Sequence, residues 1–271
     1  MLEAHRPSDW AYRLFVYGVG GLAILFMVAP VAVGLAMSFT SGQTLKFPPD
    51  GFSLRWYRAL LDPEQSAPIH TAISHSLQIA VLAVIGTVLL AAPAAYGVTR
   101  LKPAASAAVE PLMLAPLVLP SLVYGLAALI ASGRAGLSPS FGLVVLGHIV
   151  VFGPLMYRAC AAITQRLDPS LEEASALLGV GQFRTFLRVT LPLMLPGIFA
   201  GMFLVFMQSL DNVSVTLFLA DPRTTVLPLR MFQMIEESLD VRVAAISGLL
   251  IGTVFLCLLV SWRVLEPRRQ H

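Results

Sequence analysis

Six long apolar segments constrain the fold of this chain more than any other feature of its sequence. A transmembrane α-helix needs about 20 mostly apolar residues in a row, and each segment reaches that length. The segments are Leu14–Ser38, Ala72–Val98, Ala107–Ser132, Phe141–Ile163, Leu193–Leu219 and Val243–Leu265. Membrane β-strands would instead appear as stretches of ~10 residues with alternating polarity, and the sequence lacks that alternation. The pattern predicts an all-α integral membrane protein with six transmembrane helices.

The composition excludes a water-soluble globule. Of the 271 residues, 57% are hydrophobic and 12% charged, whereas soluble domains contain ~45–50% apolar and ~25% charged residues. The first apolar segment is too long for a secretory signal, whose apolar region spans only ~7–15 residues, so it is predicted to remain as an anchor. We expect a single transmembrane domain over residues 1–271, with its core at about 72–265.

The distribution of lysine and arginine predicts the orientation in the membrane, because short cytoplasmic loops carry an excess of both residues. If the amino terminus is placed inside, eleven of the 18 basic residues fall on the cytoplasmic side and the other seven on the outer side. Both termini, and the loop at about residues 164–192, are then cytoplasmic. Basic residues that flank membrane segments also account for the net charge of +3, so nothing indicates nucleic-acid binding.

The cytoplasmic loop is predicted to form a helix–turn–helix with exposed apolar side chains. Asp168-Pro169 favours a helix start, since aspartate caps free amides and proline suits the first helical position. Gly179 and Gly181 are expected to end that helix. A second amphipathic piece, Gln182–Thr190, is expected to stop at Leu191-Pro192, where the next span begins. Two interpretations remain: helices that lie on the lipid headgroups, or a docking element that enters a groove of another protein.

The spacing inside this loop resembles the EAA loop of ABC importer permeases. Glu173-Ala174-Ser175 is followed by three residues, Gly179, nine residues and Val189-Thr190-Leu191-Pro192. The family pattern is Glu-Ala-Ala, three residues, Gly, nine residues and Ile-x-Leu-Pro, so Ser175 and Val189 are the departures. The resemblance implies the type I importer permease fold and a coupling helix that docks into a separate ATPase. The residues that it implies for ATPase coupling are Glu172, Glu173, Ala174, Ser175, Gly179, Leu191 and Pro192.

The same resemblance implies the partners. They are two ATP-binding subunits, a second, similar permease subunit and an external substrate-binding protein, in a bacterial inner membrane. The chain has no GxxxxGK[ST] phosphate loop, so ATP and Mg are expected on the partner ATPases and no cofactor on this chain. It also has no HExxH or GxSxG motif. Cys160 and Cys257 lie in apolar segments and form neither a disulfide framework nor a metal site. We therefore expect a transport subunit with no catalytic or metal-binding residues, not an enzyme.

A second stretch resembles the spermidine/putrescine branch of these permeases. It runs Gln208-Ser209-Leu210-Asp211-Asn212, then Leu217-Phe218-Leu219 and Thr225-Val226-Leu227-Pro228. The branch tends to carry a second acid where Asn212 stands. The resemblance implies a polyamine such as spermidine or putrescine as the cargo, with 2-aminoethylphosphonate or ferric iron as the alternatives. An ion-gradient-driven secondary transporter is the alternative of another class. It would be expected to show internal repeats and coupled charges in the membrane, and neither is evident.

Three residues are candidates for the transport pathway. Asp211 lies within the fifth segment, and carboxylates inside membranes commonly mark a pathway or an ion pair. Its structural alternative is a cap or a salt bridge near the membrane surface, with Arg223 or Arg230 as the candidate partners. Pro116 and Pro120, with Pro111 before them, can break the third segment, and broken helices often line transport routes. His148 is expected to be packed and hydrogen-bonded rather than to act as a ligand.

Overall fold

The computed structural model describes residues 7–265, and the regular structure in that range is helical, apart from one isolated bridge between Thr40 and Phe52. The helices are α1 (Pro7–Ser38), α2 (Arg55–Leu61), α3 (Pro63–Thr99), α4 (Pro103–Val118), α5 (Ser121–Arg134), α6 (Phe141–Thr164), α7 (Ser170–Leu177), α8 (Gln182–Thr185), a π-helical segment (Phe186–Thr190), α9 (Leu191–Asp211), α10 (Ser214–Leu219), α11 (Leu227–Ser238) and α12 (Arg242–Leu265). The side chain of Cys257 and the two ends of the chain lie outside the described residues.

Four helices in the described range are long and apolar enough to cross a membrane: Tyr12–Ser38, Pro63–Thr99, Phe141–Thr164 and Gln182–Asp211. The bent pair α4 and α5 raises this number to five if it forms one span. The apolar part of α12, Arg242–Leu256, is shorter. The all-α membrane class is confirmed, whereas the count of six spans stays a prediction.

The third apolar segment, Ala107–Ser132, is broken into two helices, as its prolines made possible. The chain turns by 102° between α4 and α5. Leu119 adopts an extended conformation with ψ 132°, and Pro120, which follows it, has no amide hydrogen to donate. The helix runs through Pro111 and Pro116 without ending. Of the three prolines, only Pro120 breaks the segment.

The predicted boundaries of the fifth segment, Leu193–Leu219, are wrong at both ends. The helix begins earlier, at Gln182, and runs through the π-helical segment into α9. Leu191-Pro192 therefore does not stop the second helix of the loop. At the other end α9 stops at Asp211, because Asn212 is extended, and α10 begins separately. The Asn212 side-chain oxygen accepts a hydrogen bond of 2.8 Å from the Val215 amide and so caps α10.

The described chain divides into two compact units. The first contains the residues up to Ala67 and from Gln233 onward, and the second is Pro68–Phe232. The prediction that they form one transmembrane domain stays a prediction. In the first unit α12 packs against α1 and α2. A Cβ atom at Gly248 would lie 2.6 Å from Cβ of Ser38, so these helices approach too closely for any larger residue there.

In the second unit α6 and α9 form the most extensive helix–helix contact among the described residues. Gly197 and Gly201 lie one turn apart on α9 and face α6. A Cβ atom at Gly197 would lie 2.7 Å from the Ala159 carbonyl oxygen, and one at Gly201 would lie 2.6 Å from Sδ of Met156. Membrane helices associate through such small residues because they allow close backbone contact. This pair supports the elements that carry the functional loop and the end of α9.

His148 is buried in the second unit and connects three helices. One ring nitrogen, Nδ1, lies 2.7 Å from Oγ of Ser209 on α9, and Nε2 lies 3.2 Å from Oγ1 of Thr216 on α10. The ring also packs edge-on against Phe152. The prediction that His148 is packed and hydrogen-bonded is confirmed. Its two bonds attach α6 to both sides of the break that follows Asp211.

Candidate functional site

The loop between α6 and α9 projects a compact element, here called the knob, formed by α7, the following turn and α8 (residues 170–185). The Asp168 carboxylate accepts a hydrogen bond of 2.9 Å from the Ser170 amide. Hydrogen bonds from Ser170 lower the pKa of Asp168, so the carboxylate stays charged beside the start of α7. The helix begins where the sequence predicted, with Pro169 at its cap position.

The turn of the knob depends on Gly179, which has a φ of +75°. Its amide donates to the Ala176 carbonyl, and the Val180 amide donates to the Ser175 carbonyl, at 2.9 and 3.1 Å. This pattern ends a helix and is commonly built on glycine, because a left-handed backbone is unfavourable for other residues. The predicted helix end at Gly179 is confirmed.

A side-chain hydrogen bond joins the two helices of the knob. Oγ of Ser175 lies 2.7 Å from Oγ1 of Thr185, and Thr185 is buried. Ser175 stands where the EAA pattern has alanine, which has no hydroxyl. The departure from that pattern thus adds a contact that fixes α7 against α8.

The tip of the knob is apolar and unusually exposed. The side chains of Leu177, Leu178 and Phe183 are 89%, 83% and 76% exposed. Glu173 and Ala174 are exposed beside them. The Glu173 carboxylate makes no hydrogen bond or ion pair within the described part of the chain. Together they form an apolar surface with an available negative charge at its edge.

Glu172, the neighbour of Glu173, is instead bonded within the chain. Its Oε1 accepts from Nη2 of Arg100 and from Oγ1 of Thr190, both at 2.9 Å. Its Oε2 accepts from Nε of Arg100 at 3.2 Å and from the Tyr96 hydroxyl at 3.4 Å. A fork of this kind between guanidinium and carboxylate is among the stronger protein ion pairs. Glu172 therefore attaches the knob to the end of α3 and to the base of α9.

The electrostatics of this pair keep both groups charged. Burial alone would raise the pKa of the Glu172 carboxyl, but the hydrogen bonds and positive charge of Arg100, with the bonds from Thr190 and Tyr96, outweigh it and lower the pKa. The hydrogen bond to Glu172 raises the pKa of Arg100. Because the folded pKa of Glu172 is lowered, the pair stabilises the fold above the ordinary glutamate pKa. That contribution is lost as the pH falls through the lowered value.

The remaining coupling candidates lie where the knob joins the membrane helix. Leu191 is half-buried at the first position of α9, and Pro192 is exposed next to it. The π-helical segment immediately before them ends at Thr190, which is 1% exposed. The base of the knob is therefore a continuous part of the helix that crosses the membrane, not a hinge at the proline.

The pathway candidates do not gather into one site. Asp211 is the exposed last residue of α9, and its carboxylate makes no hydrogen bond or ion pair within residues 7–265. The alternative of a salt bridge from Asp211 to Arg223 or Arg230 is therefore not found among the described residues. Pro116 is half-buried inside α4, and Pro120 is exposed at the bend before α5.

Sequence reasoning missed several residues of the site. Arg100 and Tyr96 belong to no motif, Arg100 is one basic residue among many, and Thr190 occupies only the variable position of the EAA pattern. Glu110, a second acidic residue inside an apolar segment, is half-buried in α4. A search for every charge in the apolar segments would have found Glu110. No local signal connects Arg100 to Glu172.

The family model for the binding-protein-dependent transport system inner membrane component matches residues 87–271. The chain belongs to this family. It is accordingly a multi-pass membrane permease subunit of an ABC importer and not an enzyme, as the EAA pattern predicted.

Curated relatives support the same assignment. The putrescine transport system permease protein PotI of Escherichia coli K12 is 28% identical over 262 residues, which cover 94% of this chain and 90% of PotI. The spermidine/putrescine transport system permease protein PotC of the same strain is 24% identical over 226 residues, or 83% of this chain and 84% of PotC. The molybdenum transport system permease protein ModB, also of that strain, is 32% identical over 222 residues, or 74% of this chain and 93% of ModB.

Solved structures share the fold. A crystal structure of a bacterial ABC transporter that imports the acidic polysaccharide alginate superposes with a TM-score of 0.68 at 13% identity, covering 99% of this chain and 100% of that one. Another, of the bacterial alginate transporter with a pentasaccharide-bound periplasmic protein, gives a TM-score of 0.70 at 16% identity and covers 96% of each chain. The fold class of an importer permease is confirmed.

Proposed function

We propose that this permease couples ATP hydrolysis on a partner subunit to the import of a polyamine, and that the knob is its contact with the ATPase. The observation that carries the coupling role is the exposed apolar tip of the knob, with Leu177, Leu178 and Phe183 each more than three-quarters exposed. Side chains of this kind at helix ends suit a hydrophobic groove of a protein partner. Glu173, charged and unpaired within the described residues, supplies a carboxylate for a basic residue of that groove.

The internal build of the knob favours a protein groove over a lipid surface. The bond between Ser175 and Thr185 and the turn at Gly179 give the knob a fixed shape. A helix that lies on headgroups presents its apolar side chains along one face, whereas the apolar side chains of the knob gather at its tip, at the end of α7 and the start of α8. The complete importer then has two ATPases that bind ATP and Mg, a second, similar permease and an external binding protein. It sits in the bacterial inner membrane with both termini of this chain in the cytoplasm.

Leu178→Asp should disrupt ATPase docking. Burial of a leucine contributes about 1.5–3 kcal/mol, and an aspartate in its groove adds a desolvation penalty. Since 1.4 kcal/mol corresponds to about a tenfold change in affinity, we expect at least a tenfold loss of ATPase that co-purifies with the permease. The measurement is the amount of ATPase retained per permease after solubilisation.

The matched control is Leu137→Asp. Leu137 is 54% exposed and lies in the loop after α5, outside the knob. It should retain the ATPase at the unmodified level. Equal retention in the two variants would contradict the docking role.

Polyamine is the cargo that the residues and relatives favour. Asp211 presents an unpaired carboxylate at the break between α9 and α10, and a carboxylate suits a cationic solute. PotI, named for putrescine, aligns along 94% of the chain. The bend at Pro120 and the proline-containing turn at Pro116 are proposed to flank the same route.

A thermal-shift screen of the cognate binding protein against polyamines, 2-aminoethylphosphonate, ferric chelates and molybdate tests the choice of cargo. Stabilisation by a polyamine supports it, and stabilisation only by another class rejects it.

Asp211→Asn should slow polyamine uptake by about tenfold or more, because a hydrogen bond to a charged group contributes roughly 1.5–3 kcal/mol. The measurement is initial uptake rate against external polyamine concentration in reconstituted vesicles. Asp211→Glu keeps the charge and should retain most of the rate. Glu237→Gln, an exposed acid on α11, should not change it. An unchanged affinity and rate in Asp211→Asn would remove Asp211 from the pathway.

A further inference from the structure

The carboxylate of Glu172 receives hydrogen bonds from three residues on two elements other than its own. Arg100 and Tyr96 belong to the end of α3, and Thr190 is the last residue before α9. We infer that Glu172 is a positioning residue that transmits movement of the knob to α3 and α9, and that its loss uncouples ATP hydrolysis from transport without releasing the ATPase. This inference rests on the proposed docking role of the knob.

The ion pair between Glu172 and Arg100 is held in one geometry by several contacts. Arg100 donates hydrogen bonds to Glu172 from both Nε and Nη2, so the carboxylate cannot rotate without breaking one of them. The Arg100 guanidinium also lies over the Tyr96 ring at 5.5 Å, and Phe186 packs against the same ring at 5.0 Å. The Tyr96 ring is thus held between a residue of the ion pair and a residue of the π-helical segment. We define these four residues, with Thr190, as the tether.

The tether accounts for the different environments of two adjacent glutamates. Glu172 is half-buried: its side chain is 23% exposed, and that of its ion-pair partner Arg100 is 27% exposed. Glu173 is exposed and has no bonding partner within the described residues. On a helix, consecutive residues point about 100° apart, so one carboxylate faces inward and the other outward. Glu173 is available for the ATPase, whereas Glu172 is committed to this chain.

The tether is also a side-chain link between the knob and the membrane helix α3. The chain itself joins the knob to α6 on one side and to α9 on the other, but α3 is about 70 residues away in sequence. A knob pushed by its partner therefore reaches α3 through Arg100 and Tyr96. Without Glu172, the knob can tilt on its own turn while α3 stays in place. ATPase closure would then no longer be converted fully into movement of the membrane helices.

The experiment compares Glu172→Ala with Glu173→Ala in the complete importer, reconstituted with its ATPases, second permease and binding protein. Three quantities are measured: ATPase retained per permease, ATP hydrolysed, and cargo imported. Glu172→Ala should retain the ATPase and hydrolyse ATP, while cargo imported per ATP falls about tenfold or more. Glu173→Ala should instead reduce the amount of ATPase retained. Lys102→Ala, which removes an exposed charge two residues beyond Arg100, should change none of the three.

Exchange of the two charges between Arg100 and Glu172 tests the inference even if the alanine variants reduce the amount of permease in the membrane. Arg100→Glu and Glu172→Arg should each uncouple transport, and the combined variant should recover most of the cargo imported per ATP. Recovery supports the tether, since a change that merely damaged the fold would not be repaired by a second one. Failure of the stable combined variant to recover would overturn the ion pair as the transmitting contact.

The remaining outcomes separate this inference from the function on which it depends. If Glu172→Ala imports cargo within twofold of the unmodified importer, the tether does not transmit and the inference is wrong. If Glu172→Ala loses the ATPase as Glu173→Ala does, Glu172 acts in docking and the inference is wrong, while the docking role stands. If Leu178→Asp keeps its ATPase, the docking role itself fails.

Discussion

Gly197→Ala is expected to destabilise the second unit, although alanine is the better helix former. In an unconstrained helix this change stabilises by about 1 kcal/mol. Here the new Cβ atom would lie 2.7 Å from the Ala159 carbonyl oxygen and 2.9 Å from Cγ1 of Ile163. The carbonyl belongs to the backbone of α6 and cannot rotate away, so the two helices must separate. Overpacking of this kind costs about 1–3 kcal/mol.

The measurement is the thermal unfolding midpoint of the purified importer, with the amount of permease in the membrane. A loss near 2 kcal/mol should lower the midpoint by roughly 5 °C. Gly142→Ala is the control, because Gly142 lies on α6 and a Cβ atom there has nothing within 4 Å. It should leave the midpoint unchanged or raise it slightly. Equal midpoints for the two variants would show that α6 and α9 do not pack as closely as described.

The close packing of α6 and α9 could be predicted from the sequence only in part. Gly197 and Gly201 form a G-x-x-x-G spacing inside an apolar segment, which is typical of helices that pack tightly in membranes. The spacing indicates a face but not a partner. That the partner is α6, with Ala159 and Met156 opposite the glycines, follows only from the folded chain.

Helical segments could be predicted from hydrophobicity, but their breaks could not. Length and polarity locate a helix that must satisfy its own backbone in lipid, and the first and fourth segments match helices of the structure to within a few residues. Three prolines had equal ability to break the third segment, yet only Pro120 does so. Neighbouring groups can compensate for a missing amide hydrogen bond. The outcome at each proline therefore depends on its surroundings and not on the local sequence.

The turn of the knob and the tether could be predicted from the sequence to different degrees. The turn depends on one residue with a left-handed backbone conformation, and the glycine of the EAA spacing, Gly179, predicted it. The tether depends on a side chain about 70 residues away, since Glu172 meets Arg100 only after α3 and α7 fold together. The resemblance placed both glutamates in one coupling group. Their separation into an inward and an outward carboxylate required the structure.

Gly179→Val is expected to abolish most transport while leaving the permease in the membrane. A left-handed backbone costs an L-residue about 1–2 kcal/mol, and a β-branched residue tolerates it poorly. The turn has room for the side chain, since a Cβ atom there has nothing within 4 Å. The strain therefore comes from the φ of +75° alone, and the chain relieves it by rotating the turn. That rotation moves α7 relative to α8 and breaks the Ser175–Thr185 hydrogen bond. We expect at least a tenfold fall in uptake per permease.

Two controls separate backbone strain at the knob from strain in general. Gly181→Val places the same side chain two residues away, where φ is −67° and a Cβ atom is also unobstructed, so transport should persist. Gly136→Val creates the same strain at φ +75° in the loop after α5, away from the knob, and should spare coupling. Asparagine accepts left-handed angles better than valine, so Gly179→Asn should keep part of the activity. Full uptake in Gly179→Val would mean that the turn geometry is not needed for coupling. Equal losses in all three valine variants would assign the effect to stability and not to the knob.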